Sequence, residues 1–177
     1  MKEIHLSADQ IITLSDYPPH HEQCLKIYFR IFQNGRGRIV PPVPVIHIST
    51  GIPFTKAHGK RAEKYNGLLT AFLESHPRAQ YFLLDGTHRT TAAALTHNKV
   101  PVLLFKVDKD IKEARKLVEQ GELFSLTAGG NSIKEAIKTL EKHFLKAMSF
   151  QTVIEKTERM VSEKVLPPYM TNFYNQK

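Results

Sequence analysis

Between Leu84 and Ala92 the chain reads Asp85-Gly86-Thr87-His88-Arg89-Thr90-Thr91, a run in which nearly every side chain can donate, accept or carry charge. Tyr81 to Leu84 ahead of it is wholly apolar, the pattern of a short strand buried on both faces. Gly86 permits a backbone turn that a side chain would hinder. A helix is then expected from about Thr87. Its first N–H groups have no intrahelical partner, and with the positive end of the helix dipole they form an anion site. Thr87, Thr90 and Thr91 add hydroxyl donors, and Arg89 is expected to grip phosphate oxygens as a fork. His88 supplies a second donor or a proton carrier near neutral pH. Asp85 is a candidate to share Mg²⁺ with the phosphates. A plain helix cap with Arg89 on the surface is the competing reading, but a cap has no need of His-Arg directly after the glycine.

Other candidates lie upstream. In Pro19-His20-His21-Glu22 the carboxylate of Glu22 stands where a helix begins; it suits a general base, and the helix dipole also favours it there. Arg36 and Arg38, set among glycines, are further candidates for phosphate or nucleic-acid backbone contacts. The nine histidines form no H-x-x-x-H pair on a helix face, which argues against a zinc site. No G-x-x-x-x-G-K-[ST] or G-x-G-x-x-G stretch is present, so P-loop and Rossmann binding are not expected.

These residues need elements to position them. Leu25, Tyr28, Phe29 and Phe32 recur at helical spacing over His21–Phe32, and Asn34-Gly35 ends that helix. Val43 to Ile48 reads as a strand delayed by prolines. Lys60–Ser75 predicts a helix burying Tyr65, Leu68, Leu69, Phe72 and Leu73. The helix from Thr87 is expected to end near Asn98, and Val102–Val107 is a further apolar strand. Beyond Asp108 the pattern is helical. Lys109–Gln120 is followed by a helix opened by the capping box Ser132-x-x-Glu135, and then by a last one over Ser149–Val165 that Pro167-Pro168 ends, leaving a polar tail. The expected fold class is α+β: residues 1–107 form a small mixed sheet with helices, and residues 108–177 a helical extension packed on it.

The formal net charge of +8 points to anionic partners. The excess is concentrated, with 13 Lys and Arg against 7 Asp and Glu in residues 1–107 but 12 against 10 beyond. No apolar run approaches the roughly 20 residues of a membrane span. The N-terminus lacks an apolar signal core, and Cys24 is the only cysteine. A cytoplasmic protein without a membrane partner is expected.

LLDGTHRTTAA followed by VPVLLFKV resembles the ParB/sulfiredoxin superfamily, whose members carry a strand, an acidic or Gly-rich turn, an (H/R)-R pair and an Ala-rich helix. The upstream GRIVPPVPV is similar to that family's preceding strand, and the likeness covers about Ile4 to Val107. Asp85-Gly86-x-His88-Arg89 looks most like the D-G-H-H-R motif of the free-amino-acid kinase branch. That resemblance implies ATP or ADP with Mg²⁺ (CTP in ParB relatives), phosphates held by Asp85 to Thr91, and His88 and Arg89 neutralising developing charge. It also implies Glu22 as catalytic base toward a small hydroxyl-bearing acceptor, although Pro19-His20-His21-Glu22 is one histidine longer than that branch's Pro-His-Glu. Thr87 stands where sulfiredoxins place their catalytic cysteine, which sets their chemistry aside. About thirty residues, 50–80, replace the usual tight hairpin and are expected to reshape or cover the site. Two alternative readings go with the resemblance: a DNA-associated, nucleotide-switched regulator, although no helix-turn-helix is legible, and a non-catalytic ligand-binding member.

Overall fold

Three short apolar runs, Val43–Ile48, Tyr81–Leu84 and Val102–Val107, call for a sheet covered on both faces, and the computed structural model, which describes residues 1–123 and 130–176, contains one. Its five strands are β1 (Lys2–Leu6), β2 (Ile11–Ile12), β3 (Val43–His47), β4 (Tyr81–Leu83) and β5 (Val100–Phe105), in the order β1-β5-β3-β4-β2. The sheet is mixed: β2 runs parallel to β4 and β3 parallel to β5, while β3–β4 and β1–β5 are antiparallel. Among the described residues there are seven α-helices: α1 (Glu22–Gln33), α2 (Lys60–Ser75), α3 (Thr87–Leu95), α4 (Asp108–Glu119), α5 (Ile133–Ala147), α6 (Val153–Ser162) and α7 (Pro168–Asn175).

The strand period of two sorts side chains between two cores. Ile11, Val43, Val45, Leu83, Val102 and Leu104 face α1, α3, α6 and α7, through Leu25, Phe29, Ala93, Val153, Met160 and Met170. Ile12, Ile46, Phe82, Leu103 and Phe105 face α2, α4 and α5, through Tyr65, Leu69, Ile111, Ala136, Leu140 and Phe144. Each side chain so buried contributes roughly 1.5–3 kcal/mol relative to exposure. The helices beyond residue 108 therefore enter both cores, α4 and α5 on one face and α6 and α7 on the other.

Several elements match the sequence reading, among them α2 over Lys60–Ser75. Within it Tyr65, Leu69 and Phe72 are buried as expected, while Leu68 is exposed. Three differences have local causes. The last long helix begins at Val153, not Ser149, because Thr152 and Glu155 form a complete capping box there. Pro168 does not end the chain's order: it occupies the first turn of α7, where a missing N–H costs nothing, and Met170 and Phe173 pack into the core. α3 ends at Leu95, where the Thr96 hydroxyl donates back to Ala92 O (2.8 Å).

Candidate functional site

Two parallel strands, β2 and β4, deliver their chains to the same end of the sheet, the end at which open α/β sheets offer ligands a crevice. From β2 the chain runs through Ser15 and Asp16. From β4 it runs through Asp85 and Gly86 into α3. Gly86 is held at φ 98°, ψ 32°, and a Cβ there would lie 2.4 Å from Val43 Cγ1, so the turn requires glycine twice over. Gly86 N donates to Asp85 Oδ1 at 2.7 Å. Gly86, at the capping position, has no side chain with which to cap α3. The first turn of α3 opens beside the cluster that gathers there.

That cluster centres on Asp16. Its Oδ1 accepts from Lys156 Nζ (2.9 Å), which reaches in from α6, and from Thr87 Oγ1 (3.3 Å). The Lys156 side chain is only 1% exposed and that of Asp16 23%. Burial lowers the ammonium's pKa, and Asp16 opposes the shift. Two histidines flank the pair. His88 Nε2 accepts from His21 N (3.2 Å), and His143 Nε2, from α5, accepts from Ser15 N (2.9 Å). Burial lowers both imidazole pKa values, with Asp16 as the main opposing charge. Each ring therefore carries its single proton on Nδ1 as a neutral group. The imidazole of His88 is thus a neutral group whose remaining donor is Nδ1–H.

Arg89 is placed differently from the fork expected of it. Only 5% exposed, it turns inward: Nη1 donates to Pro41 O (2.8 Å) and Pro42 O (3.0 Å), and Nη2 lies 3.8 Å from Asp85 Oδ2. Burial lowers its pKa and Asp85 opposes. This guanidinium supplies donors to those half-buried carbonyls, pinning the proline segment before β3 to the first turn of α3. Thr90 and Thr91 are buried as well, and Thr90 Oγ1 donates to Thr87 O (2.9 Å). Of the run Asp85 to Thr91, it is Asp85, Gly86, Thr87 and His88 that border the cluster.

Glu22 opens α1 one residue after the His21 that binds His88, so the starts of α1 and α3 are neighbours. Its side chain is 59% exposed and pairs with Lys26 at 2.5 Å. Arg36 is exposed on the turn after α1, and Arg38, from the same turn, lines a cleft with Asn98 and Lys99 beyond the far end of α3. The inserted residues 50–80 build α2 into the core on the opposite face of the sheet from α3. Sequence reasoning passed over Asp16, His143 and Lys156. For Lys156 a signal existed: it lies on the α6 face that also carries Val153 and Met160, where a charge needs a partner.

Among the described residues no cluster of three or more His, Cys, Asp or Glu side chains is arranged to hold a metal ion, and no helix is long and apolar enough to cross a membrane. The chain matches no family model, no curated protein and no solved structure.

Proposed function

We propose that the protein binds a nucleoside di- or triphosphate by its phosphates at the start of α3 and transfers a phosphoryl group to a small hydroxyl-bearing molecule. The observation that carries this reading is the α3 start itself: a helix with glycine at its capping position, at the carboxyl ends of two parallel strands, beside a buried lysine and a neutral histidine. Backbone N–H groups, His88 Nδ1–H and the Thr87 hydroxyl, once turned from Asp16, are donors of the kind that stabilise charge on a transferring group. Lys156 is the nearby cation, a role the sequence reading gave to Arg89. Glu22, released from Lys26, would take the acceptor's hydroxyl proton. One carboxylate does not hold Mg²⁺ by itself; Asp85 fits the ion only where phosphate oxygens and water complete the shell. The ParB/sulfiredoxin resemblance of LLDGTHRTTAA supports the same ligand class, with ATP or ADP ahead of CTP.

A binding-only reading draws on one observation, the Glu22–Lys26 pair that occupies the base. A thermal-shift panel of ADP, ATP and CTP with Mg²⁺, followed by transfer assays on small alcohols and hydroxy amino acids, separates the readings. Transfer that Glu22→Gln abolishes without loss of the thermal shift supports the kinase. Nucleotide binding with no transfer supports binding alone, and unchanged melting across the whole panel rejects both.

A further inference from the structure

The other end of α3 carries a second surface of different composition. A cleft of about 470 Å³ lies between the Ala8–Asp9 turn, Arg78 and the residues that follow α3. Another of about 220 Å³ lies between His5 and the turn bearing Gly37 and Arg38. Asn98 and Lys99 line both, so the two clefts meet along one ridge.

Cations dominate this surface. Arg38, Arg78 and Lys99 are all exposed, and among the described residues Asp9 is the one carboxylate lining either cleft, 3.0 Å from Arg78. A helix C-terminus normally repels anions, but here its carbonyls are occupied. Ala92 O and Ala93 O accept from Thr96, Ala93 O also from Asn98 N, and Ala94 O from His97 N. His97 adds a planar element at the rim. Held at φ 57°, it is exposed, lies over the Tyr174 ring at 4.9 Å and 19°, and is fixed by a 2.9 Å hydrogen bond from Nε2 to Tyr174 O.

We propose that this twin cleft binds single-stranded nucleic acid, with Arg38, Lys99 and Arg78 along the phosphodiester backbone and the free face of His97 receiving a base. Concave basic grooves with stacking platforms suit single strands, whose bases are free to stack on a side chain. An acidic peptide would use the charge but has no use for the ring. RNA and DNA share this chemistry. The surface is separate from the α3 start, so this inference stands or falls independently of the phosphotransferase reading.

The test is fluorescence anisotropy with labelled single-stranded DNA, single-stranded RNA and duplex DNA of about 16 nucleotides, over salt from about 50 to 200 mM. Single strands are expected to bind more tightly than duplex, with a log–log salt slope of about −1.5 to −2 for two to three phosphate contacts. Arg38→Glu with Lys99→Glu should weaken binding and flatten the slope. His97→Ala should weaken it about tenfold at unchanged slope, the size of one lost base stack. Lys112→Glu with Lys116→Glu, on exposed positions of α4 across the sheet, should change neither. The DNA and RNA arms identify the natural strand. No binding at the lowest salt overturns the proposal. So does equal weakening by the α4 pair, tighter duplex binding, or an acidic peptide competing as well as a single strand.

Discussion

α3 and α6 start within the same polar neighbourhood, yet the two starts are built in opposite ways. At α6, Thr152 Oγ1 accepts from Glu155 N (3.2 Å) and Glu155 Oε2 accepts from Thr152 N (2.7 Å), so the chain satisfies its own orphan donors. At α3 the capping position is Gly86, which has no side chain to offer. The same α6 then sends Lys156 across to Asp16 and the α3 start. One helix start is closed by local sequence and positions a charge; the other has glycine in the capping place, beside that charge. A helix start whose capping residue offers no side chain is where an external anion is worth most.

The contrast can be broken from either side, and the largest effects belong to the inward-facing charges. Arg89→Ala removes both donors to Pro41 O and Pro42 O and empties a buried site, so a loss of about 3–5 kcal/mol in denaturant-derived stability is expected. Arg89→Lys should recover little of it, since an ammonium lacks the fork. Lys156→Ala strands Asp16 and leaves a cavity, costing about 3 kcal/mol, whereas Lys156→Met keeps the volume and should cost clearly less. Gly86→Ala sets a Cβ against Val43 at positive φ and should cost about 2 kcal/mol. Thr152→Ala removes a working cap, for about 1 kcal/mol, with no effect on nucleotide affinity. The smallest effect belongs to Thr13→Val. Thr13 Oγ1 is buried without a hydrogen-bond partner, so melting should be unchanged or slightly raised.

Acid sharpens the comparison further. His88 and His143 have folded pKa values below the ordinary 6.5. Between those values and 6.5 the unfolded chain binds more protons than the folded one, so stability falls as pH drops below 6.5. Urea titrations at pH 7 and at successively lower values should show that loss, and His88→Gln with His143→Gln should flatten it. The α6 box contributes in a lower window: Glu155 is held below its ordinary 4.5, its stabilisation being lost only as pH falls under that value.

Much of this was readable from the sequence, because helical periodicity over Lys60–Ser75 and the apolar runs of β4 and β5 need no tertiary information. β1 and β2 were not. Lys2–Leu6 is mostly exposed and gains its strand character by pairing with β5, and β2 is only two residues long. The glycine turn and helix start at Gly86 were legible from residue type. The inward rotation of Arg89 was not, since it depends on two proline carbonyls some 48 residues upstream. Asp16 and Lys156, 140 residues apart, meet only through the fold.

The claim on which the proposed function depends is that an external phosphate occupies the α3 start. Calorimetric titration of ATP or ADP with Mg²⁺ into the wild-type protein and into Thr87→Val with His88→Ala tests it directly. The wild type should bind saturably, and the double variant, folded by circular dichroism, should bind at least about tenfold more weakly, as the loss of two hydrogen bonds to a charged group requires. Equal affinity in the two proteins, or no binding to the wild type, would contradict it.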